Sequence, residues 1–193
     1  GIYGNAKSIL RKSVAELQEL AALTLGIVYL GVETGDEALL QKIHKGATYA
    51  QMVAAGRRVK ESGITLSATV LLGLGGIENS QRHAAATARI LSDMDPDFAS
   101  ALTLMVVPGT PLYEETERGD FTLPSPFQLL EELETIVAQS NFSRCYFTSN
   151  HASNYLPIKA RLPKDQAAVA RLIHEVVSAK DSSLLRPEFL RGL

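Results

Sequence analysis

Ile64-Thr65-Leu66-Ser67-Ala68-Thr69-Val70-Leu71-Leu72, closed by Gly73-Leu74-Gly75-Gly76, is the stretch that decides the fold. Side chains alternate across a strand, so Ile64, Leu66, Ala68, Val70 and Leu72 share one face. Thr65, Ser67, Thr69 and Leu71 share the other, which is small and mostly polar. Ile27 to Glu33 repeats the pattern, with Val28, Leu30 and Val32 on the apolar face and Ile27, Tyr29, Gly31 and Glu33 opposite. A third run, from about Asp97 to Val107, offers Ala101, Thr103, Met105 and Val107 as a small, partly polar face. A doubly wound sheet is covered by helices on both sides and needs two apolar faces. One apolar face and one small or polar face suit the wall of a barrel whose interior holds a ligand.

Helical periodicity fills the intervals between these strands. Ser13 to Ala22 puts Val14, Leu17 and Ala21 on one stripe, and a second helix spans about Asp36 to His44. Thr48 and Gln51 form a capping-box pair that opens a helix closing at Gly63. Ser80 to Asp93 is helical, and Ser125-Pro126 starts a helix reaching about Ser140, with proline at its first position. Arg144 to Thr148 is a short strand, and Lys164 to Ala179 is an amphipathic helix carrying Val169, Leu172, Ile173 and Val176. Pro108-Gly109-Thr110-Pro111 ends the third strand, because prolines cannot continue a ladder.

Strands alternating with helices imply parallel pairing and right-handed crossovers. The expectation is an α/β fold in one domain over residues 1–193, a fragment of a partial TIM-type barrel. About four strands are too few to close such a barrel, so others are expected upstream. Gly1-Ile2-Tyr3-Gly4-Asn5 has neither an initiator Met nor a signal's apolar core, so the chain reads as an internal piece of a longer cytoplasmic protein.

Composition narrows the function classes. The 193 residues are 46% hydrophobic and 21% charged, the proportions of a globular domain. Nineteen basic against twenty-one acidic residues give a net charge of −2, which argues against a bulk electrostatic grip on nucleic acid or an anionic membrane. No apolar run approaches the ~20 residues of a membrane span. A single cysteine, Cys145, excludes an internal disulfide framework and a multi-cysteine metal site held by this chain alone. It reads as a small hydrophobe on a strand.

Candidate chemistry collects at the C-terminal ends of the strands, where parallel α/β folds place their active sites. Glu33 ends one strand, although a turn or helix-capping acid would occupy the same place. Gly73-Leu74-Gly75-Gly76 follows the next strand but lacks a P-loop lysine and the dinucleotide spacing, so it reads as a tight turn. The four histidines show no metal-ligand spacing, and His83 and His174 read as helix-surface residues. Ser149-Asn150-His151-Ala152-Ser153-Asn154-Tyr155 is dense in hydrogen-bonding groups just after a strand, either as a plain polar loop or as part of a site.

Five segments in order then carry a resemblance: Tyr29-Leu30-Gly31-Val32-Glu33-Thr34-Gly35-Asp36, Lys45-Gly46, Lys60-Glu61-Ser62-Gly63-Ile64, Leu71-Leu72-Gly73-Leu74-Gly75-Gly76, and Val107-Pro108-Gly109-Thr110-Pro111-Leu112-Tyr113. Together they resemble the radical S-adenosylmethionine superfamily, in the branch of oxygen-independent coproporphyrinogen oxidase, the methylthiotransferases and the Elongator-type catalytic subunit. The core of the resemblance covers residues 28–114, with a strand–helix extension over 144–180. Cys145 to Pro157 resembles a tail of family members with no assigned reaction.

The resemblance implies the C-terminal part of a barrel enzyme, an oxidoreductase carrying S-adenosylmethionine and a 4Fe–4S cluster in the full-length protein. Reductive cleavage of the cofactor gives a 5′-deoxyadenosyl radical that abstracts hydrogen from an unknown substrate, with electrons from a flavodoxin or ferredoxin. The cluster's Cys-x-x-x-Cys-x-x-Cys loop is not in this sequence, so the piece alone is expected to be inactive, to hold no metal and to bind neither cofactor stably. By carry-over, Glu33 and Thr34 fall at the cofactor, Lys45 at its carboxylate, Thr69 at its ribose, and Leu71, Val106 and Val107 at its adenine. The chemistry is consistent: a carboxylate needs a cation and adenine a flat apolar wall. Where relatives have Pro and Glu, this chain has Gly75 and Ile77, and neighbouring Glu78 is given no role. Asn150, His151 and Asn154 are expected on the substrate side, and no catalytic residue is assigned. The alternative is a non-radical, aldolase-like barrel or a non-catalytic binding domain.

Overall fold

The computed structural model describes residues 1–192. Six strands form: β1 (Ile2–Gly4), β2 (Ile27–Glu33), β3 (Thr65–Leu72), β4 (Phe98–Thr103), β5 (Cys145–Thr148) and β6 (Lys159–Leu162). Between them run α1 (Ala6–Leu10), α2 (Val14–Ala22), α3 (Glu37–Lys42), α4 (Tyr49–Glu61), α5 (Gly76–Met94), α6 (Pro111–Arg118) and α7 (Pro126–Gln139), and α8 (Gln166–Ala179) follows β6. Capping boxes fix three of the helix starts, with Ser13 and Glu16 at α2, Thr48 and Gln51 at α4, and Ser125 and Gln128 at α7. Each box satisfies two orphan donors reciprocally.

The strands stand in the sheet in chain order, β1-β2-β3-β4-β5-β6. β1 to β5 are parallel. A doubly wound sheet reverses its order at a switch point, and this one never reverses, as the wall of a barrel does not. Register keeps the two faces distinct. Val28 stands beside Leu66 and Leu30 beside Ala68, Ala68 beside Ala99, and Ala99 beside Phe147. All of these are at most 2% exposed, under a layer made by α4, α5, α7 and α8. Each fully buried Leu, Ile or Phe there contributes about 1.5–3 kcal/mol. On the opposite face Tyr29, Phe98 and Tyr146 are 38%, 40% and 37% exposed. The result is an open trough backed by a helix-covered wall.

The structure departs from expectation in specific places. Among the described residues there are six strands rather than about four: three-residue β1 is too short to show periodicity, and β6, where Lys159 and Arg161 alternate with buried Ala160 and Leu162, was not read as a strand. β6 is antiparallel to β5, returning directly after the 149–158 loop without a crossover helix. β4 stops at Thr103, so Met105 and Val107 lie beyond it. Ala101 and Thr103 face the helices, and Ser100 and Leu102 face the trough, because β3 sets the register with Thr69 beside Ser100 and Leu71 beside Leu102. Small residues such as Ala, Ser and Thr are compatible with either face, so alternation alone misassigned them. α1 and α6 were not foreseen, and α5 begins at Gly76, ahead of Ser80. Among the described residues no helix is long and apolar enough to cross a membrane.

Candidate functional site

Strand β2 ends in a distortion. The pairing with β3 slips between Gly31 and Glu33, and Glu33 adopts φ +64°. Thr34 N donates to Val32 O at 2.8 Å, closing a three-residue turn around Glu33. A non-glycine residue held in such a turn stores about 1–3 kcal/mol, a cost found most often at functional sites. The turn aims the Glu33 carboxylate back over the strand, where Lys45 Nζ donates to its Oε1 at 2.8 Å. The two side chains keep 21% and 23% of their surface. Gly31 makes the arrangement possible: a Cβ there would collide with Glu33 Oε1 and stand 3.2 Å from Lys45 Nζ.

Below this pair the trough carries a polar band. Register places Gly31, Thr69, Ser100 and Thr148 side by side, and the hydroxyls of Ser100 and Thr148 are 3.0 Å apart. Leu71 and Leu102 form an aliphatic step nearer the C-terminal rim, and Val106 and Val107 follow in the loop after β4, half-exposed and exposed. Glu33, Lys45, Thr69, Leu71, Val106 and Val107 therefore lie on or at the rim of one open surface. The larger hollows are open ones: one of about 570 Å³ sits around Tyr49, Arg82 and Asp93, and another of about 490 Å³ around Phe98, Arg144 and Tyr146 at the strands' opposite ends.

Thr34 does not join that surface. It is fully buried, its hydroxyl accepts from Asp36 N at 2.9 Å, and it donates to His83 Nδ1 at 2.8 Å. His83 is correspondingly not a surface residue: it is 0% exposed and its Nε2 donates to Leu71 O at 2.9 Å. Burial lowers its pKa and keeps it neutral. One imidazole thus ties the end of β2, beside Glu33, to the end of β3. Next to it Glu132 of α7 is also fully buried, accepting from Gly73 N and Ser80 Oγ at 2.7 Å each. Burial pushes the Glu132 carboxyl up to about 7, against the opposing pull of those two hydrogen bonds. Both residues were missed in the sequence. His83 shares a helical stripe with Ser80, Thr87 and Leu91, and Glu132 lies between Leu129, Leu133 and Ile136, so spacing placed both facing inward.

The loop after β5 is built rather than slack. Asn150 and His151 are exposed at the rim. Asn154 is not: at 2% exposure its Nδ2 donates to Ala101 O and its Oδ1 accepts from Thr103 Oγ1, both at 2.8 Å. With both amide ends bonded to β4 and the residue only 2% exposed, Asn154 anchors the loop rather than facing a substrate. His174 lies on the surface of α8 beside Glu134, as expected. Cys145 is buried on the helix side, and burial pushes its thiol up to about 12, so it is neither exposed nor thiolate. Among the described residues no group of three or more His, Cys, Asp or Glu is placed to hold a metal.

The fold and the rim together define an α/β partial TIM-type barrel with its candidate site at the C-terminal ends of the strands. No family model matches the chain. Over 123 residues it is 27% identical to a tRNA uridine(34) acetyltransferase of Methanocaldococcus jannaschii, covering 63% of this chain and 22% of that protein. Its structure is similar to that of the archaeal Methanocaldococcus infernus Elp3 with an N-terminal deletion (1–46), with a TM-score of 0.61 at 18% identity, over 92% of this chain and 41% of that one. Methylornithine synthase (PylB) overlaps 67% of this chain and 37% of its own at 25% identity, with a TM-score of only 0.48. The chain therefore has the fold of part of Elp3. It spans about two fifths of that solved structure and about a fifth of the curated relative.

Proposed function

We propose that this chain is the C-terminal part of the barrel of a radical S-adenosylmethionine enzyme and that its trough holds the cofactor. The observation that carries this is the Glu33–Lys45 pair, held over Gly31 by a strained turn at the C-terminal end of a barrel strand. S-adenosylmethionine ends in an amino acid, with a carboxylate and an ammonium two bonds apart. A facing carboxylate and ammonium 2.8 Å apart, each about a fifth exposed, can exchange their mutual contact for the complementary groups of such a zwitterion. Lys45 takes the carboxylate, and Glu33 takes the ammonium or the sulfonium. Thr69 offers a hydroxyl to the ribose, and Leu71, Val106 and Val107 supply an aliphatic wall for adenine. When bound and reductively cleaved, S-adenosylmethionine supplies the species that abstracts a hydrogen atom from substrate.

The residues present do not fit a 4Fe–4S cluster: the one cysteine faces the helices. Its three ligands are assigned to chain outside this sequence, and no step is derived through it. The same reading carries a cytoplasmic protein with a flavodoxin or ferredoxin donor, and an unidentified substrate approaching Asn150 and His151. The test is reduction of the full-length protein with S-adenosylmethionine and measurement of 5′-deoxyadenosine. Its formation is expected, and its absence from protein with an intact cluster would reject the proposal in favour of a non-radical barrel.

A further inference from the structure

His151 sits at the rim with its two ring nitrogens in different circumstances. Ser153 N donates to Nδ1 at 3.2 Å. A backbone N–H can only donate, so Nδ1 is an acceptor. Ser153 Oγ stands 3.0 Å from the same Nδ1 and itself accepts from Thr103 N at 3.1 Å. With its oxygen receiving that N–H, the hydroxyl proton is directed at the imidazole. A chain of hydrogen bonds therefore runs from the end of β4 through Ser153 into Nδ1. In neutral His151 the proton then resides on Nε2, the nitrogen without a partner among the described residues, on an exposed side chain.

The loop that presents this ring is pinned from behind. Arg186 Nη1 donates to the carbonyls of His151, Ala152 and Asn154 at 2.7, 2.8 and 3.0 Å, and Arg191 Nε donates to Ser153 O at 2.7 Å. Asn154 fastens the loop to β4 from the front. So many bonds spent on a short rim segment hold the ring in one orientation, and polar satisfaction alone would not require an exposed histidine there.

We propose that Ser153 is a positioning residue that locks His151 as its Nε2–H tautomer, so that the rim offers a substrate a fixed hydrogen-bond donor. The lone pair at Nδ1 is already engaged twice, so the neutral ring has none free to take a proton from substrate. The substrate class this recognises carries an acceptor oxygen or nitrogen at the point facing His151, and any base in the reaction is a different group. This rests on the placement of the 149–155 loop on the substrate side, proposed above.

The tautomer is read directly by two-bond 1H–15N correlation of the full-length protein labelled with 15N-histidine, at about pH 8.5, where imidazoles are neutral. Loss of one signal in His151→Gln assigns the ring. Two hydrogen bonds into Nδ1 favour the Nε2–H form roughly thirtyfold over the other. Ser153→Ala removes one of them and should lower that preference about fivefold, moving the averaged Nδ1 shift, while Ser153→Thr restores it. A predominant Nδ1–H form in the unsubstituted protein would overturn the proposal, as would an Nδ1 shift unchanged by Ser153→Ala. Should Ser153→Ala not fold, the tautomer ratio of the unsubstituted protein decides alone. The readout involves neither S-adenosylmethionine nor turnover, so a locked tautomer in a protein that fails to bind the cofactor would leave this assignment standing and reject the functional one.

Discussion

Glu132 gives the sharpest stability test. Its carboxyl is fully buried, and burial pushes its pKa up to about 7 from the ordinary 4.5 that applies in the unfolded chain. The folded state therefore binds more protons than the unfolded state between those values. Stability attributable to Glu132 is present below pH 4.5 and is lost as pH rises through 7. Integrating the proton difference from pH 5 to pH 8 gives a loss of roughly 2–3 kcal/mol. Glu132→Gln removes the titration and keeps the shape: the amide oxygen can accept from Gly73 N while the amide nitrogen donates to Ser80 Oγ. His83, with its lowered pKa, works in the opposite direction, losing stability as pH falls below the unfolded imidazole value, but it is common to both proteins. Urea unfolding of the 193-residue chain and its Glu132→Gln variant at pH 5, 6, 7 and 8 isolates the difference. The stability of the parent relative to the variant should fall by roughly 2–3 kcal/mol across that range. A difference that stays constant with pH would show that the carboxyl is ionised in the fold at all four values, and the burial argument would be wrong.

Gly31→Ala should leave thermal stability within about 1 kcal/mol, since the new methyl meets only the flexible ends of Glu33 and Lys45, yet it should weaken S-adenosylmethionine binding in the full-length protein by displacing that pair. A variant that binds normally would mean that the pair is not at the cofactor. Asn150→Ala and His151→Ala should keep the uncoupled formation of 5′-deoxyadenosine, because the proposal puts both side chains on the substrate side of the cofactor; loss of cleavage would move them onto it.

The wall of the barrel was legible because its chemistry is one-sided. The pairs Val28 and Leu30, Leu66 and Ala68 can be buried only on one face, whatever surrounds them. β4 was less legible since Ala99, Ser100, Ala101 and Thr103 fit a helix-covered face and an open one equally, and only pairing with β3 decides between them. Glu33 and Lys45 were placed from resemblance, and the structure brings them together across twelve residues by a backbone turn that no propensity predicts for glutamate. Thr34 and Asn154 had the right residue types beside the right neighbours, yet their polar atoms are consumed by His83, Asp36, Ala101 and Thr103. A polar side chain next to a site is as often a strut as a ligand, and the sequence does not distinguish the two. His83 illustrates the converse, read as a surface residue where helical spacing pointed inward, and Glu132, at an inward position of its helix, drew no reading.

The most direct measurement is calorimetric titration of the full-length protein and its Lys45→Ala variant with S-adenosylmethionine. A charge-assisted contact contributes roughly 1.5–3 kcal/mol, so removing the ammonium should weaken binding by about tenfold to a hundredfold. The visible absorbance of the cluster should be unchanged, because Lys45 is assigned to the carboxylate and to no metal. Unchanged affinity would contradict the placement of the cofactor over Glu33 and Lys45 and return the pair to the surface as an ordinary ion pair.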